Sequence, residues 1–266
     1  MDSYSKFDYL QQSLKKLGSV AIAYSGGVDS TFLLMTAYQM FPNQTLAITA
    51  LSGLFPAREM NESHKFADDN GIRHIECEMD EFAIEGFAEN SENRCYLCKK
   101  SMFTCFMKIA AEYGIKYLAE GSNIDDDGDF RPGTKAIREL GVLSPLREAG
   151  FTKSEIRQLS REMGLPTWNK PSFACLASRL PYGEHITREK LKTIETSEQL
   201  LFDLGFKQVR VRHHGNLARI EINHDEMGRL ISFRETIHSK FKQAGFTYTT
   251  IDMLGYRTGS MNETIK

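Results

Sequence analysis

The 266-residue sequence shows no excess of one charge: 33 Lys and Arg against 35 Asp and Glu leave a formal net charge of −2. No general basic field is available to draw in a long polyanion, which argues against a nucleic-acid partner and leaves only a local basic patch open. No apolar run approaches the ~18 residues that a membrane span needs. Met1-Asp2-Ser3 opens no secretory signal, so no membrane partner and a cytoplasmic location are expected. Two glycine signatures are missing: there is no G-x-x-x-x-G-K-S/T and no G-x-G-x-x-G, which excludes the kinase-like P-loop and the dinucleotide fingerprint. Cysteines number only five, an odd count that argues against a disulfide framework and leaves metal or redox chemistry open. What is present, 41% hydrophobic and 26% charged residues, is the composition of a globular chain rather than a disordered one.

The first half alternates short apolar runs with amphipathic stretches. Strands are expected at 19–24, 45–51, 73–79 and 117–120, and helices at 30–40, 57–70, 97–113 and 151–163, the last capped near Thr152. Such alternation indicates parallel βαβ units in a Rossmann-like α/β domain, with ligands at the carboxyl ends of the strands. A long irregular stretch, 164–183, follows and holds three of the seven prolines and the single Trp. Loops of that length are uncommon and often functional. Beyond it the pattern changes to a helix at 187–204, β-like runs at 208–212 and 218–222, a helix near 225–243 and a strand at 248–253. The reading is two domains, 1–183 and a small α+β domain over 184–266.

Ser25-Gly26-Gly27-Val28-Asp29-Ser30 falls between the first strand and the first of these helices. Two glycines let the backbone turn sharply, and the helix that follows aims free N–H groups and its positive dipole end at an anion. Ser25 and Ser30 add hydroxyls. Asp29 is out of place beside phosphates unless a cation such as Mg²⁺ lies between them. The string resembles the pyrophosphate loop (PP-loop) of the ATP pyrophosphatases, the group containing GMP and NAD synthetases, argininosuccinate synthetase and tRNA thiolation enzymes. The resemblance implies ATP as cosubstrate and release of pyrophosphate.

Cys95 and Cys98 form a CxxC at the start of a helix, and Cys175 lies in the long loop within Ala174-Cys175-Leu176-Ala177-Ser178-Arg179. A CxxC serves zinc ligation, dithiol redox chemistry or iron–sulfur ligation. Structural zinc needs a fourth ligand, and no second CxxC or nearby H-x₃-H is present. Three thiolates on a 4Fe–4S cluster would leave one iron open for a sulfide. Cys77, in a strand, and Cys105, amid Phe103, Phe106 and Ile109, are expected to be core residues.

Further strings extend the resemblance over nearly the whole chain. They are Gly121-Ser122-Asn123-Ile124-Asp125-Asp126, Arg131-Pro132-Gly133, Ser144-Pro145-Leu146, Trp168-Asn169-Lys170-Pro171, Pro181-Tyr182-Gly183, Arg210-Val211-Arg212 and Ala218-Arg219-Ile220-Glu221. Together they resemble the LarE family of ATP-dependent sulfur transferases. That likeness implies adenylation and thiolation of the two carboxylates of pyridinium-3,5-biscarboxylic acid mononucleotide, a step toward a nickel-pincer nucleotide. In one branch a single loop cysteine surrenders its sulfur and becomes dehydroalanine. In the other, three cysteines hold a 4Fe–4S cluster, and Cys95, Cys98 and Cys175 place this sequence with the second. The resemblance also implies a sulfide or other sulfur donor and a homo-oligomer.

The mechanism so implied gives Asp29 and Cys175 catalytic roles, with Asp29 acting through Mg²⁺. Asp125 and Asp126, at the expected ligand edge, either orient metal or substrate or form a solvated acidic turn. Arg210 and Arg212 alternate on one strand face and can grip a phosphate together. Arg257, in Gly255-Tyr256-Arg257-Thr258-Gly259, and Arg179 are further candidates, and Glu221 is a ligand or an ion-pair partner. His185, His213 and His214 are expected at the polar surface. A tRNA-thiolating relative and a non-catalytic nucleotide or cluster sensor are the competing readings.

Overall fold

The computed structural model describes residues 1–128, 132–257 and 259–261. Arg131 and Thr258, which belong to strings quoted above, lie outside the described residues. The chain divides into two compact units, 1–84 with 93–172 and 85–92 with 173–266.

The first unit is built on four parallel strands, β1 (Val20–Ala23), β2 (Thr45–Leu51), β3 (His74–Glu78) and β4 (Leu118–Ala119), in the order β3-β2-β1-β4. Leu143 extends the β4 edge through a parallel bridge to Ala119. Side chains alternate across the sheet, so Val20 and Ile22 enter one core while Ala21 enters another. The first core is covered by α1 (Ser3–Leu17), α2 (Val28–Met40) and α7 (Lys153–Glu162), through Leu10, Phe32 and Ile156. The second is covered by α4 (Arg94–Glu112) and α5 (Gly133–Glu139), through Phe103, Phe106 and Ile137. Between them in sequence lie α3 (Ala57–Asp69) and the short α6 (Pro145–Glu148). Both sheet faces are thus covered by helices, as the α/β alternation requires. Every residue of α2 from Val28 to Ala37 except Asp29 is buried, which fixes this helix and the loop preceding it.

The second unit carries β5 (Val209–His214), β6 (Leu217–Ile222) and β7 (Tyr248–Ile251), antiparallel between β5 and β6 and parallel between β6 and β7. Helices α8 (Arg188–Asp203), α9 (Met227–Ser232) and α10 (Arg234–Ala244) close its core around Leu201, Phe206, Val211, Ile220 and Phe241. The single helix expected near 225–243 is therefore two, separated at Phe233. Residues 85–92 join this unit because Asn90, fully buried with φ 54°, donates to the carbonyls of Pro181 (2.7 Å) and Glu184 (3.1 Å). Among the described residues, no helix is long and apolar enough to cross a membrane.

One expectation is overturned. Cys77 and Cys105 are joined by a disulfide. Both pack in the second core as expected, and the core that gathers them also brings the sulfurs together. An odd cysteine count excludes complete pairing, not a single pair.

Candidate functional site

The direction of strand order reverses between β1 and β4, and ligands of open α/β sheets bind outside the carboxyl ends of strands at that point. The 25–30 loop leaves β1 there. Gly26 has φ 68°, and a Cβ on it would strike the Ser63 hydroxyl of α3, so only glycine fits. Gly27 begins α2 with no side chain capping the helix, which leaves its first N–H groups facing the site. Ser30 Oγ accepts from Ser25 N at 3.2 Å and donates to the Gly27 carbonyl at 3.2 Å, stitching the two ends of the loop. A Cβ on Gly121, just after β4, would lie 2.9 Å from Ser30 N. Glycine there lets the β4 exit run directly against the start of α2.

The segment after β4 is held from below. Glu120, 7% exposed, accepts from Ser122 N and Oγ (3.1 and 2.7 Å) and from Ser144 Oγ (2.6 Å). Asn123, thereby placed, donates to Asp29 at 3.4 Å. Asp125 accepts from Lys153 N at 2.8 Å and Asp126 from Asn123 N at 3.0 Å, so both carboxylates shape backbone. Asp126 also faces Asp29 closely enough to raise its pKa, adding to the larger effect of burial.

Two lysines complete the loop that the sequence alone did not single out. Lys153, the first residue of α7, pairs with Asp29 and opposes that upward shift. The cation that Asp29 calls for is thus at least partly supplied by the chain itself. Lys170 donates to the Gly26 carbonyl at 3.2 Å and pairs with Glu59 and Glu62 of α3 at 2.7 Å each.

In the second unit, Arg179 is fully buried and bound in a fork to Glu198 (2.9 and 3.0 Å). Its remaining nitrogen donates to the carbonyls of Ala174 (2.6 Å) and Cys175 (3.0 Å). Rather than reaching a ligand, Arg179 fixes the backbone of the cysteine loop. Cys175 itself is a free, half-buried thiol at the start of a 3₁₀ turn, Leu176–Arg179. Arg212 donates to Ser178 O (3.1 Å), Ser260 Oγ (2.9 Å) and Glu221 (2.7 Å), while its Nε is buried without a partner. Glu221, fully buried, is shared by Arg212, Arg219 and Ser260, which makes it an ion-pair hub. Arg257 binds Asp252 at 3.1 Å. Arg210 lies 5.3 Å over both the Phe173 and Tyr256 rings. Burial first, and then the Arg179 cation, pushes the Arg210 guanidinium down to about 10. Glu198, Glu221 and Asp252 are carboxylate partners within this arginine cluster, Glu198 for Arg179, Glu221 for Arg212 and Arg219, and Asp252 for Arg219 and Arg257. His213 is buried against the Phe246 ring rather than at the surface, whereas His185 is exposed.

Cys95 and Cys98 stand in the first turns of α4, both outside the disulfide and half-buried, with Arg94 donating to Cys95 Sγ at 3.4 Å. With Cys77 and Cys105 tied together, the cysteines outside the disulfide are Cys95, Cys98 and Cys175. Among the described residues, no group of three or more His, Cys, Asp or Glu is gathered as a metal site.

A parallel sheet of this order, carrying an SGGVDS turn between β1 and α2, has the architecture of the PP-loop ATP pyrophosphatases. In accord with this, a subunit of the glutamine-hydrolysing GMP synthase of Thermoplasma volcanium is 29% identical over 201 residues, 69% of this chain and 63% of that one. No protein-family model matches the sequence. An uncharacterised protein of Synechocystis sp. is 40% identical over 264 residues, 98% of each chain. The pyridinium-3,5-bisthiocarboxylic acid mononucleotide synthase of Lactiplantibacillus plantarum is 34% identical over 257 residues, 96% of this chain and 93% of that one. The chain belongs to the family of that synthase, the LarE family.

Proposed function

We propose that the chain is an ATP-dependent sulfur transferase that adenylates and then thiolates the carboxylates of pyridinium-3,5-biscarboxylic acid mononucleotide. The observation that carries this reading is the built 25–30 loop at the sheet's switch point, in a chain that matches the synthase over nearly its full length. A carboxylate is a poor acyl donor because its leaving group would be oxide. Its oxygen therefore attacks the α-phosphate of ATP, the bond to the β-phosphate oxygen breaks, and pyrophosphate leaves onto Ser25, Gly26, Gly27, Ser30 and the free N–H groups of α2. Asp29, with Asp126 beside it, would hold Mg²⁺, which supplies charge neutralisation for the departing pyrophosphate. A sulfur nucleophile then adds to the acyl carbon, and AMP leaves with the electron pair of the C–O bond.

Cys175 is the proposed catalytic cysteine, its loop braced by Arg179. Cys95, Cys98 and Cys175, the cysteines outside the disulfide, are the proposed thiolate ligands of an iron–sulfur cluster, on the strength of the family likeness. A 4Fe–4S cluster so held would supply an open iron for sulfide, and iron and sulfide analysis of anaerobically purified protein tests for it. Arg210 is proposed to face the substrate phosphate, with Arg212 and Arg257 behind it. Asp125 and Glu221 are proposed to act by positioning backbone and arginines. The 1–183 part is proposed as the ATP pyrophosphatase domain and 184–266 as the substrate and oligomerisation domain of a homo-oligomer.

The experiment separates the two half-reactions. Asp29→Ala should abolish substrate-dependent pyrophosphate release, whereas Cys175→Ala should retain it and lose thiolation. Full thiolation by the Cys175 variant, or undiminished pyrophosphate release by the Asp29 variant, would contradict the assignment.

A further inference from the structure

Lys170 belongs to the Trp168-Asn169-Lys170-Pro171 string, and the adenylation chemistry above does not use it. The segment is clamped to α7. Arg157 donates to the carbonyls of Trp168 (2.8 Å) and Lys170 (2.7 Å), and the Arg161 guanidinium lies 5.0 Å over the Trp168 ring. The Lys170 ammonium is thereby aimed into the nucleotide loop, where it touches the Gly26 carbonyl at 3.2 Å. The same ammonium pairs at 2.7 Å with Glu59 and with Glu62. These two partners are not equivalent. The Glu59 side chain is 8% exposed and shared between Lys170 and Arg58, the latter at 2.9 Å, whereas that of Glu62 is 50% exposed and easily rehydrated. Asp29, Glu59 and Glu62 would together repel a triphosphate at this mouth, and Lys153, Lys170 and Arg58 offset them, with Lys170 the one that also reaches the Gly26 carbonyl.

We propose that Lys170 is a phosphate-binding residue of the nucleotide site, poised by Glu59 and released by Glu62 when a pyrophosphate group enters the 25–30 loop. An ammonium has three donors, so it can exchange the weakly held Glu62 carboxylate for a phosphate oxygen without leaving Glu59. Its clamped backbone and packed stem leave little further entropy to lose on binding. The inference rests on the ATP reading given above.

Calorimetric titrations of the full chain with inorganic pyrophosphate, ATP and AMP, at fixed Mg²⁺ and salt, test it. Lys170→Ala alone leaves the buried Glu59 with Arg58 as its counter-charge and adds net negative charge at the loop, so the informative variant is the Lys170→Ala/Glu59→Gln double. That variant should bind pyrophosphate and ATP about tenfold or more weakly, the worth of one charge-assisted contact, with AMP affinity held within about twofold. Lys170→Arg should restore most of the loss. Glu62→Gln should tighten pyrophosphate binding, and the gain should disappear when Lys170 is Ala, a coupling that a purely structural lysine does not produce. Unchanged pyrophosphate affinity in the double variant, or a Glu62→Gln gain that persists without Lys170, would overturn the proposal while leaving the ATP reading intact. A wild-type chain that binds neither ATP nor pyrophosphate would overturn both.

Discussion

At the scale of single residues, alternation shows which side chains share a strand face but not how deep they lie. Arg210 and Arg212 are readable as a pair from their spacing, and both are indeed buried on β5. Their surroundings divide their roles. Arg212 is locked to Glu221, and removing one partner of a buried pair leaves the other uncompensated, so Arg212→Ala should cost about 3–5 kcal/mol of stability. Arg210 is held by aromatic faces and crowded by Arg179, which favours an incoming anion. Arg210→Ala should therefore raise the substrate KM about tenfold or more while ATP binding stays close to wild type. Steady-state kinetics and chemical denaturation on the same two variants check the division, and a shared stability loss without a KM effect would refute it. Asp29 is legible as an anomaly in an anion loop. Lys153, 124 residues away, is not, because a lone lysine carries no pattern in sequence.

At the scale of elements, strongly periodic segments and caps are the legible part. Thr152 and Glu155 form a complete capping box on α7, in keeping with a helix capped near Thr152. Glu155 also binds Lys6 of α1 at 2.7 and 2.8 Å. Burial pulls its carboxyl upward, but Lys6 and Thr152 outweigh that and hold it below the usual 4.5. A carboxylate whose folded pKa is depressed stabilises the protein above its unfolded value, and that contribution fades as pH falls through the folded one. Glu155→Gln should therefore destabilise the fold at neutral pH, with the difference from wild type shrinking in acid below pH 4.5, as thermal melts across pH would show. Helix α1 is harder to read because most of its residues are polar, yet Phe7, Leu10, Leu14 and Leu17 repeat at helical spacing and reach the first core. The Cys77–Cys105 bond is illegible for a different reason: the residues are 28 apart on β3 and α4, and only packing unites them. Closing a loop of that length contributes about 3.6 kcal/mol in the chain-entropy account. Cys77→Ala/Cys105→Ala should lower stability by that order while leaving thiolation intact.

At the scale of the whole molecule, the α/β class follows from alternation of elements, and the parallel sheet with helices on both faces bears it out. The change to a second, smaller α+β pattern is likewise visible, whereas the return of residues 85–92 to that unit is not, since it depends on the strained Asn90 and its two long-range hydrogen bonds. In the proposed function a nucleotide loop and a cysteine loop serve one reaction, exchange of a carboxylate oxygen for sulfur at the expense of ATP. The most direct measurement is mass spectrometry of pyridinium-3,5-biscarboxylic acid mononucleotide after incubation with the chain, Mg-ATP and sulfide, with AMP and pyrophosphate counted in the same sample. The expected product has sulfur in place of oxygen, with one AMP and one pyrophosphate released for each exchange. Unaltered mononucleotide, or sulfur exchange without matching AMP and pyrophosphate, would contradict it.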